Sequence, residues 1–249
     1  MKVEYYKEYS PSLGRNMKLK VFGHAGKPAI VFPSQCGRFY EYEDFGMINA
    51  ASEFIEKGLI QFFCVDGLDW ETFVNGGWPG DRLWRHEQYV NYICEEVVPW
   101  AMDVNAYGSH YRAGGCLATG CSMGALHAAN FFFRRPDIFD ACLAQSGLYS
   151  CRSFFNRDCR EDGIFFNSPI EYLPGMNDPH TLDLYRRSQI VISIGQGPWE
   201  HECLQDTRIL DGILRHKGIP AWVDYWGHDV PHDWPAWRVQ LPYFLGHML

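Results

Sequence analysis

One five-residue stretch, Gly120-Cys121-Ser122-Met123-Gly124, restricts what this chain can fold into more than any other. It fits the pattern G-x-S-x-G, and its neighbours matter as much as the pattern. The preceding Cys116-Leu117-Ala118-Thr119 reads as a short apolar strand, and Ser122 to Arg135 reads as a helix stopped by Pro136. A strand that passes straight into a helix at a serine must turn tightly. The serine then takes strained backbone angles and its hydroxyl stands clear of the sheet. Glycine two residues to either side lets strand and helix approach closely. The helix N-terminus adds free N–H groups and a dipole that favour developing negative charge. Ser122 is the candidate nucleophile.

The rest of the chain alternates in a way that suits such a turn. Val3 to Tyr9, Met17 to Phe22 and Ala29 to Phe32 read as strands, the first two joined by a turn-rich Pro11-Ser12-Leu13-Gly14-Arg15-Asn16 that predicts a hairpin. Two antiparallel strands leading into a buried one are expected. Asp44 to Lys57 reads as a helix with Met47, Ala50, Ala51, Phe54 and Ile55 on one face, followed by a buried strand over Leu59 to Val65. Asp81 to Val104 reads as a helix capped by Asp81. After the elbow come Ala141 to Gln145 and Ile190 to Ile194 as strands, Glu202 to Lys217 as helix, Ala221 to Tyr225 as strand and Pro235 to Leu249 as a last helix. Strands alternating with helices predict an α/β fold with a mostly parallel twisted sheet, an N-terminal antiparallel hairpin and helices on both faces. At 249 residues the chain suits one domain over 1–249, with the Asp-, Asn-, Pro- and Phe-rich segment 150–187 as an insertion near the active site.

Charge and cysteine usage narrow the partners. A net charge of −8 leaves no basic face for nucleic acid and none for an anionic membrane. The N-terminus has no apolar h-region and no apolar run approaches a membrane span, so a soluble cytoplasmic protein is expected. Nine scattered cysteines, none in a C-x-x-C, read as reduced thiols used as small hydrophobes rather than as a zinc or redox centre. No cofactor is expected.

A serine hydroxyl needs a base, and the base an orienting acid, in the chain order Ser, Asp or Glu, His. The loop after the last strand reads Trp226-Gly227-His228-Asp229-Val230-Pro231-His232-Asp233-Trp234, where His228 and His232 compete. Of the other histidines, His127 lies one turn into the elbow helix and reads as a packing or surface residue. His228 and His232 as metal ligands are disfavoured, since Gly227 and Pro231 break the helix their spacing would require. For the acid, Glu200 is the first carboxylate after the strand ending at Ile194; Asp206 and Asp229 are the other carboxylates to weigh. Of the two N–H groups of an oxyanion hole, one is expected from Met123 and the other from the loop Pro33-Ser34-Gln35-Cys36-Gly37-Arg38, at Gln35 or, one residue on, Cys36.

Together these residues resemble the esterase family of α/β-hydrolases that takes in esterase D-like, feruloyl-esterase-like and mycolyltransferase-like members. The resemblance runs over most of the chain. It is carried by Tyr9-Ser10-Pro11-Ser12-Leu13-Gly14-Arg15, the elbow, Arg135-Pro136-Asp137-Ile138-Phe139-Asp140, Gln145-Ser146-Gly147 and His232-Asp233-Trp234-Pro235-Ala236-Trp237. The family histidine commonly sits in H-x-W-x-x-W, which implies His232 rather than His228, and the family acid follows the preceding strand, which supports Glu200. Gly197-Pro198-Trp199 intervenes between that strand and Glu200, and Pro33-Ser34 replaces the family's usual His-Gly oxyanion signature. The resemblance implies an α/β-hydrolase fold and a serine esterase with a Ser-His-Glu triad, forming an acyl-enzyme on a small-molecule acyl ester. Arg38, Tyr40, Trp199 and Trp234, with Phe39, are expected around the substrate, and Arg38 otherwise pairs with a neighbour such as Glu41. The alternatives are an acyltransferase on the same scaffold, a non-catalytic binding protein of this fold, and a metal-dependent hydrolase using His228, His232 and Asp229 or Asp233.

Overall fold

The chain enters through the expected hairpin, β1 (Val3–Ser10) against β2 (Arg15–Phe22), in a computed structural model that describes residues 1–109, 114–155, 159 and 161–249. Six further strands follow: β3 (Lys27–Phe32), β4 (Ile60–Val65), β5 (Cys116–Cys121), β6 (Phe139–Gln145), β7 (Gln189–Ile194) and β8 (Trp222–Tyr225). They form one eight-stranded sheet in the order β1-β2-β4-β3-β5-β6-β7-β8. The hairpin is antiparallel and β2 runs antiparallel to β4, while every pair from β4 to β8 is parallel. The strand beside the hairpin is therefore β4, not β3. This puts β3 in the middle of the sheet, paired with β5 so that Phe32 faces Gly120. The end of β3 and the elbow emerge side by side.

The helices are α1 (Glu41–Asp44), α2 (Met47–Ala50), α3 (Ser52–Glu56), α4 (Pro79–Asn91), α5 (Val98–Ser109), α6 (Met123–Arg134), α7 (Asp162–Phe166), α8 (Pro169–Tyr172), α9 (Pro179–Arg187), α10 (His201–His216) and α11 (Trp234–Met248). A π-helical turn, Tyr92–Val97, joins α4 to α5. Two expectations need correction. The helix expected over Asp44 to Lys57 is broken twice, at Gly46, which sits at φ 77° just before α2, and at Ala51, at φ −95° and ψ 6° between α2 and α3. The expected apolar face survives in part: Met47, Ala51 and Ile55 are buried, Ala50 and Phe54 are half-buried, and Ile48, outside that face, is buried as well. Asp81 does not cap α4, which starts at Pro79 after an extended Trp78, so Asp81 falls in the first turn and complements the dipole there.

Alternate residues of the central strands face opposite sides, as a sheet buried on both faces requires. Ile30, Phe32, Ala118, Cys142, Ala144 and Ile192 join the core on one side, together with Ala125, Ala128 and Phe132 of α6. Ala29, Val31, Leu117, Leu143 and Val191 join the core on the other, together with Trp237, Leu241 and Phe244 of α11. A third, smaller cluster brings Cys151, Phe155 and Ile164 onto Met123 and Leu126 of the elbow helix. Within the expected insertion, residues 156–158 and 160 lie outside the described residues. All nine cysteines are free, and seven are buried. No helix among the described residues is long and apolar enough to cross a membrane.

Candidate active site

Ser122 occupies the turn between β5 and α6 with φ 57° and ψ −123°, a conformation a non-glycine residue rarely adopts. The neighbouring glycines explain how the turn is possible. A Cβ on Gly120 would lie 2.6 Å from the Gly124 backbone, and one on Gly124 would lie 2.4 Å from the Phe32 carbonyl oxygen. Strand, helix and the end of β3 meet at backbone distance, and only residues without side chains fit. The Ser122 N–H donates to the Gln145 carbonyl at 2.9 Å, fixing the elbow to the end of β6.

The structure brings Ser122, His232 and Glu200 into one line. His232 Nε2 lies 2.8 Å from Ser122 Oγ, and its Nδ1 lies 2.9 Å from Glu200 Oε2. An ionised carboxylate only accepts hydrogen bonds, so Nδ1 carries the proton, Nε2 of the neutral ring accepts, and Ser122 donates. The Glu200 side chain is 1% exposed and that of His232 18%, so the carboxylate is sealed while the imidazole reaches the surface. His228 is exposed and Asp206 accepts the N–H groups of Tyr149 and Ser150, so neither joins the line. Asp229 is exposed. Asp233 caps α11 by accepting the Trp234 N–H at 2.7 Å. Among the described residues the metal-ligating side chains that cluster are Glu200, Cys203 and His232, within 4.8 Å of one another, and two of these are already bonded to each other.

The loops that hold His232 and Glu200 interlock. Gly197 donates to the Val230 carbonyl at 3.0 Å and His232 to the Pro198 carbonyl at 3.0 Å. A Cβ on Gly195 would lie 2.2 Å from the Val230 oxygen. The stretch Gly197-Pro198-Trp199 ahead of Glu200 is thus the docking surface for the histidine loop.

On the other side of the elbow, the loop after β3 is pinned at two points. Glu41 accepts the N–H and the hydroxyl of Ser34, both at 2.7 Å, and Asp69 accepts the N–H of Cys36 at 2.9 Å. Burial pushes the Glu41 carboxyl up from its ordinary value against these donors. Between the two pinned groups, the Gln35 N–H has no partner among the described residues, and neither does the Met123 N–H at the start of α6. Cys36, at φ 60°, spends its N–H on Asp69, which leaves Gln35 rather than Cys36 as the available donor of the two expected.

Arg38 does not pair with Glu41. Its guanidinium grips Asp66 through two bonds of 2.6 and 2.9 Å, because Glu41 is taken up with Ser34. Tyr40 is exposed, with its ring edge-on to the buried Phe39. Trp199 is 80% exposed at φ 69°. Trp234 stacks on Phe45 with ring centres 4.5 Å apart. The sequence reading misses Asp69, Ser146 and Trp237. Asp69 is 3% exposed and binds both Cys36 and Nε2 of His127, the latter at 3.0 Å. His127 is accordingly a buried, bonded residue and not a surface one. Ser146 donates to Glu200 Oε1 at 2.5 Å. The stretch Gln145-Ser146-Gly147 marks that position, and nothing local marks Asp69.

Comparison with known proteins bears on the family and the fold. The family described as "Putative esterase" matches residues 10–248. No curated protein matches the chain. A solved ferulic acid esterase is 18% identical, covering 99% of this chain and 96% of that one, with a TM-score of 0.74. An S-formylglutathione hydrolase from Agrobacterium tumefaciens is 15% identical over 98% of this chain and 93% of that one, with a TM-score of 0.71. The fluorophosphonate-binding serine hydrolase F of Staphylococcus aureus is 13% identical over 99% and 98%, with a TM-score of 0.70. At these identities the structural likeness speaks for the fold, and the sequence match speaks for the family. The chain belongs to the "Putative esterase" family and is an esterase of α/β-hydrolase fold.

Proposed function

We propose that the protein is a serine carboxylic-ester hydrolase acting through Ser122, His232 and Glu200 on a small-molecule acyl ester. The observation that carries this reading is the unbroken line Ser122 Oγ, His232 Nε2, His232 Nδ1, Glu200 Oε2, with links of 2.8 and 2.9 Å. His232 takes the Ser122 proton as Oγ attacks the ester carbonyl carbon, and Glu200 stabilises the imidazolium that forms. The carbonyl oxygen becomes an oxyanion, for which the uncommitted N–H groups of Gln35 and Met123 are the donors. The tetrahedral intermediate collapses as the alkoxide leaves with the proton from His232. Ser122 is left as an acyl ester, which water, deprotonated by His232, hydrolyses.

Tyr40, Trp199 and Trp234 are the aromatic surfaces offered to the substrate. Arg38, tied to Asp66, lends that rim its charge in part only. The described residues of segment 150–187 pack on Met123 and Leu126 through Cys151, Phe155 and Ile164, and we take the segment as an insertion beside the elbow within a single domain over 1–249. Nine free cysteines suit a reducing compartment, and we assign the protein to the cytoplasm.

Hydrolysis of short p-nitrophenyl esters by the wild type, Ser122→Ala and His232→Ala tests the reading. Each substitution is expected to lower kcat by about 10⁴- to 10⁶-fold, with no effect of a chelator. Undiminished turnover by Ser122→Ala would overturn the proposal.

A further inference from the structure

Two stretches that carry the family resemblance have no part in the chemistry above: Gln145-Ser146-Gly147, and the Trp237 end of the stretch that begins at His232. They meet behind Glu200. Trp237 Nε1 lies 2.9 Å from Ser146 Oγ, and Ser146 Oγ lies 2.5 Å from Glu200 Oε1. An indole N–H can only donate, so the Ser146 oxygen accepts from Trp237. The one proton on that hydroxyl is then directed to Glu200. Ser146 itself is held at φ 56°, in a region non-glycine residues rarely occupy, with its N–H donating to the Ser193 carbonyl at 2.7 Å. Ser146, Glu200 and Trp237 are all buried, which keeps bulk water from supplying these bonds instead.

We propose that Trp237 and Ser146 are positioning residues that form a one-directional hydrogen-bond relay, holding the Glu200 carboxylate as a pure acceptor with Oε2 aimed at His232. The proposal rests on the Ser122–His232–Glu200 reading. Trp237 also meets the other end of the pair, its ring edge-on to the His232 imidazole at 5.0 Å between centres and 83° between planes. One indole therefore fixes both the acid, through Ser146, and the base, through its ring. The remaining titratable groups facing this carboxylate do not compete for its charge. Burial pushes the thiols of Cys203 and Cys121 and the phenol of Tyr149 upward, so they stay neutral, and Asp206 is occupied by the N–H groups of Tyr149 and Ser150.

The test compares the pH dependence of kcat/KM on a short p-nitrophenyl ester for the wild type, Ser146→Ala, Trp237→Phe, Glu200→Gln and the double variant Ser146→Ala/Glu200→Gln. Ser146→Ala is expected to lower kcat by about 10- to 100-fold with KM little changed, the size of a lost hydrogen bond to a charged group. Its acid limb is expected to move to higher pH, because a carboxylate that has lost a donor makes the His232–Glu200 pair hold its proton more tightly. Trp237→Phe keeps an aromatic side chain but removes the donor and shortens the ring, and is expected to change the acid limb in the same direction. In the Glu200→Gln background, Ser146→Ala is expected to cost at most about a further 2-fold, since the relay has nothing left to orient.

A loss of equal size in both backgrounds, with an unmoved acid limb, would overturn the relay and leave Ser146 as packing. Should Ser146→Ala not fold, the same comparison runs with Trp237→Phe. The underlying reading fails separately. If Ser122→Ala retains full activity, the triad falls and the relay with it. If Ser122→Ala is inactive while Ser146→Ala and Trp237→Phe match the wild type, only the relay is overturned.

Discussion

Asp69 joins two parts of the site that lie far apart in the chain. One of its oxygens holds the Cys36 N–H and the other meets His127 on the elbow helix, at sequence separations of 33 and 58 residues. The loop that offers the Gln35 N–H is thereby tied to the helix that offers the Met123 N–H. Removing the carboxylate should let the first donor drift while the triad stays intact. Asp69→Ala is therefore expected to lower kcat by about 10- to 100-fold, less than the loss of an oxyanion donor outright at its upper end, with KM changed far less. Steady-state kinetics on p-nitrophenyl acetate check this, and an unaltered kcat would show that the loop holds its place without Asp69. Residues of this kind are hard to read from sequence. The candidates Ser122 and Glu200 were legible from a motif, a chain order and strand ends; the same signals left His228 beside His232, and only the resemblance to the family singled out His232. Asp69 follows no motif, and its partners become neighbours only once β3, β4 and β5 are paired.

At the level of elements, the site depends on two loops that pack backbone against backbone. The loop after β7 carries Glu200, the loop after β8 carries His232, and the Val230 carbonyl sits against Gly195 and Gly197 with no room for a side chain. Gly195→Ala puts a Cβ 2.2 Å from that oxygen, so the histidine loop must shift relative to the acid. A displacement near 1 Å in such a constellation costs on the order of 100-fold in rate, and that is the fall expected in kcat/KM for Gly195→Ala. Gly212→Ala serves as the control. It lies in the interior of α10 with nothing within 4 Å of its Cβ, and should leave activity unchanged and raise stability slightly. Equal activity in both variants would contradict the interlocked-loop description. The strands themselves were legible from short β-rich runs, and most ends fall within two residues of the sequence reading. The helix expected over Asp44 to Lys57 was not, because apolar spacing alone is blind to Gly46 and its left-handed backbone. The spacing found Met47, Ala51 and Ile55 of the buried face, missed Ile48, and was wrong about the continuity of the backbone.

Across the whole molecule, the alternation of strands and helices was enough to indicate a mostly parallel sheet covered on both faces. It did not indicate that β2 lies beside β4, since the partner of a hairpin depends on pairings remote in sequence. Stability carries a similar hidden feature. His86 is wholly buried among Phe73, Tyr89 and His127, and burial lowers its pKa from 6.5 to about 3. The unfolded chain therefore binds a proton there that the folded protein refuses. Folding stability should fall as pH drops from about 6.5 towards 3, by up to about 1.4 kcal/mol per pH unit from this one group. Urea unfolding of His86→Phe at pH 7 and pH 5 should show a shallower loss than the wild type, and an identical pH dependence would exclude His86 as its source. The central claim, however, is chemical: Ser122 becomes acylated. The most direct measurement is mass spectrometry of the protein quenched during turnover of p-nitrophenyl acetate, followed by peptide mapping. The expected result is one acetyl group on the peptide containing Ser122, accumulating in the wild type and absent in Ser122→Ala. Turnover with no adduct on that peptide, or an adduct that persists in Ser122→Ala, would contradict the assignment of Ser122 as the nucleophile.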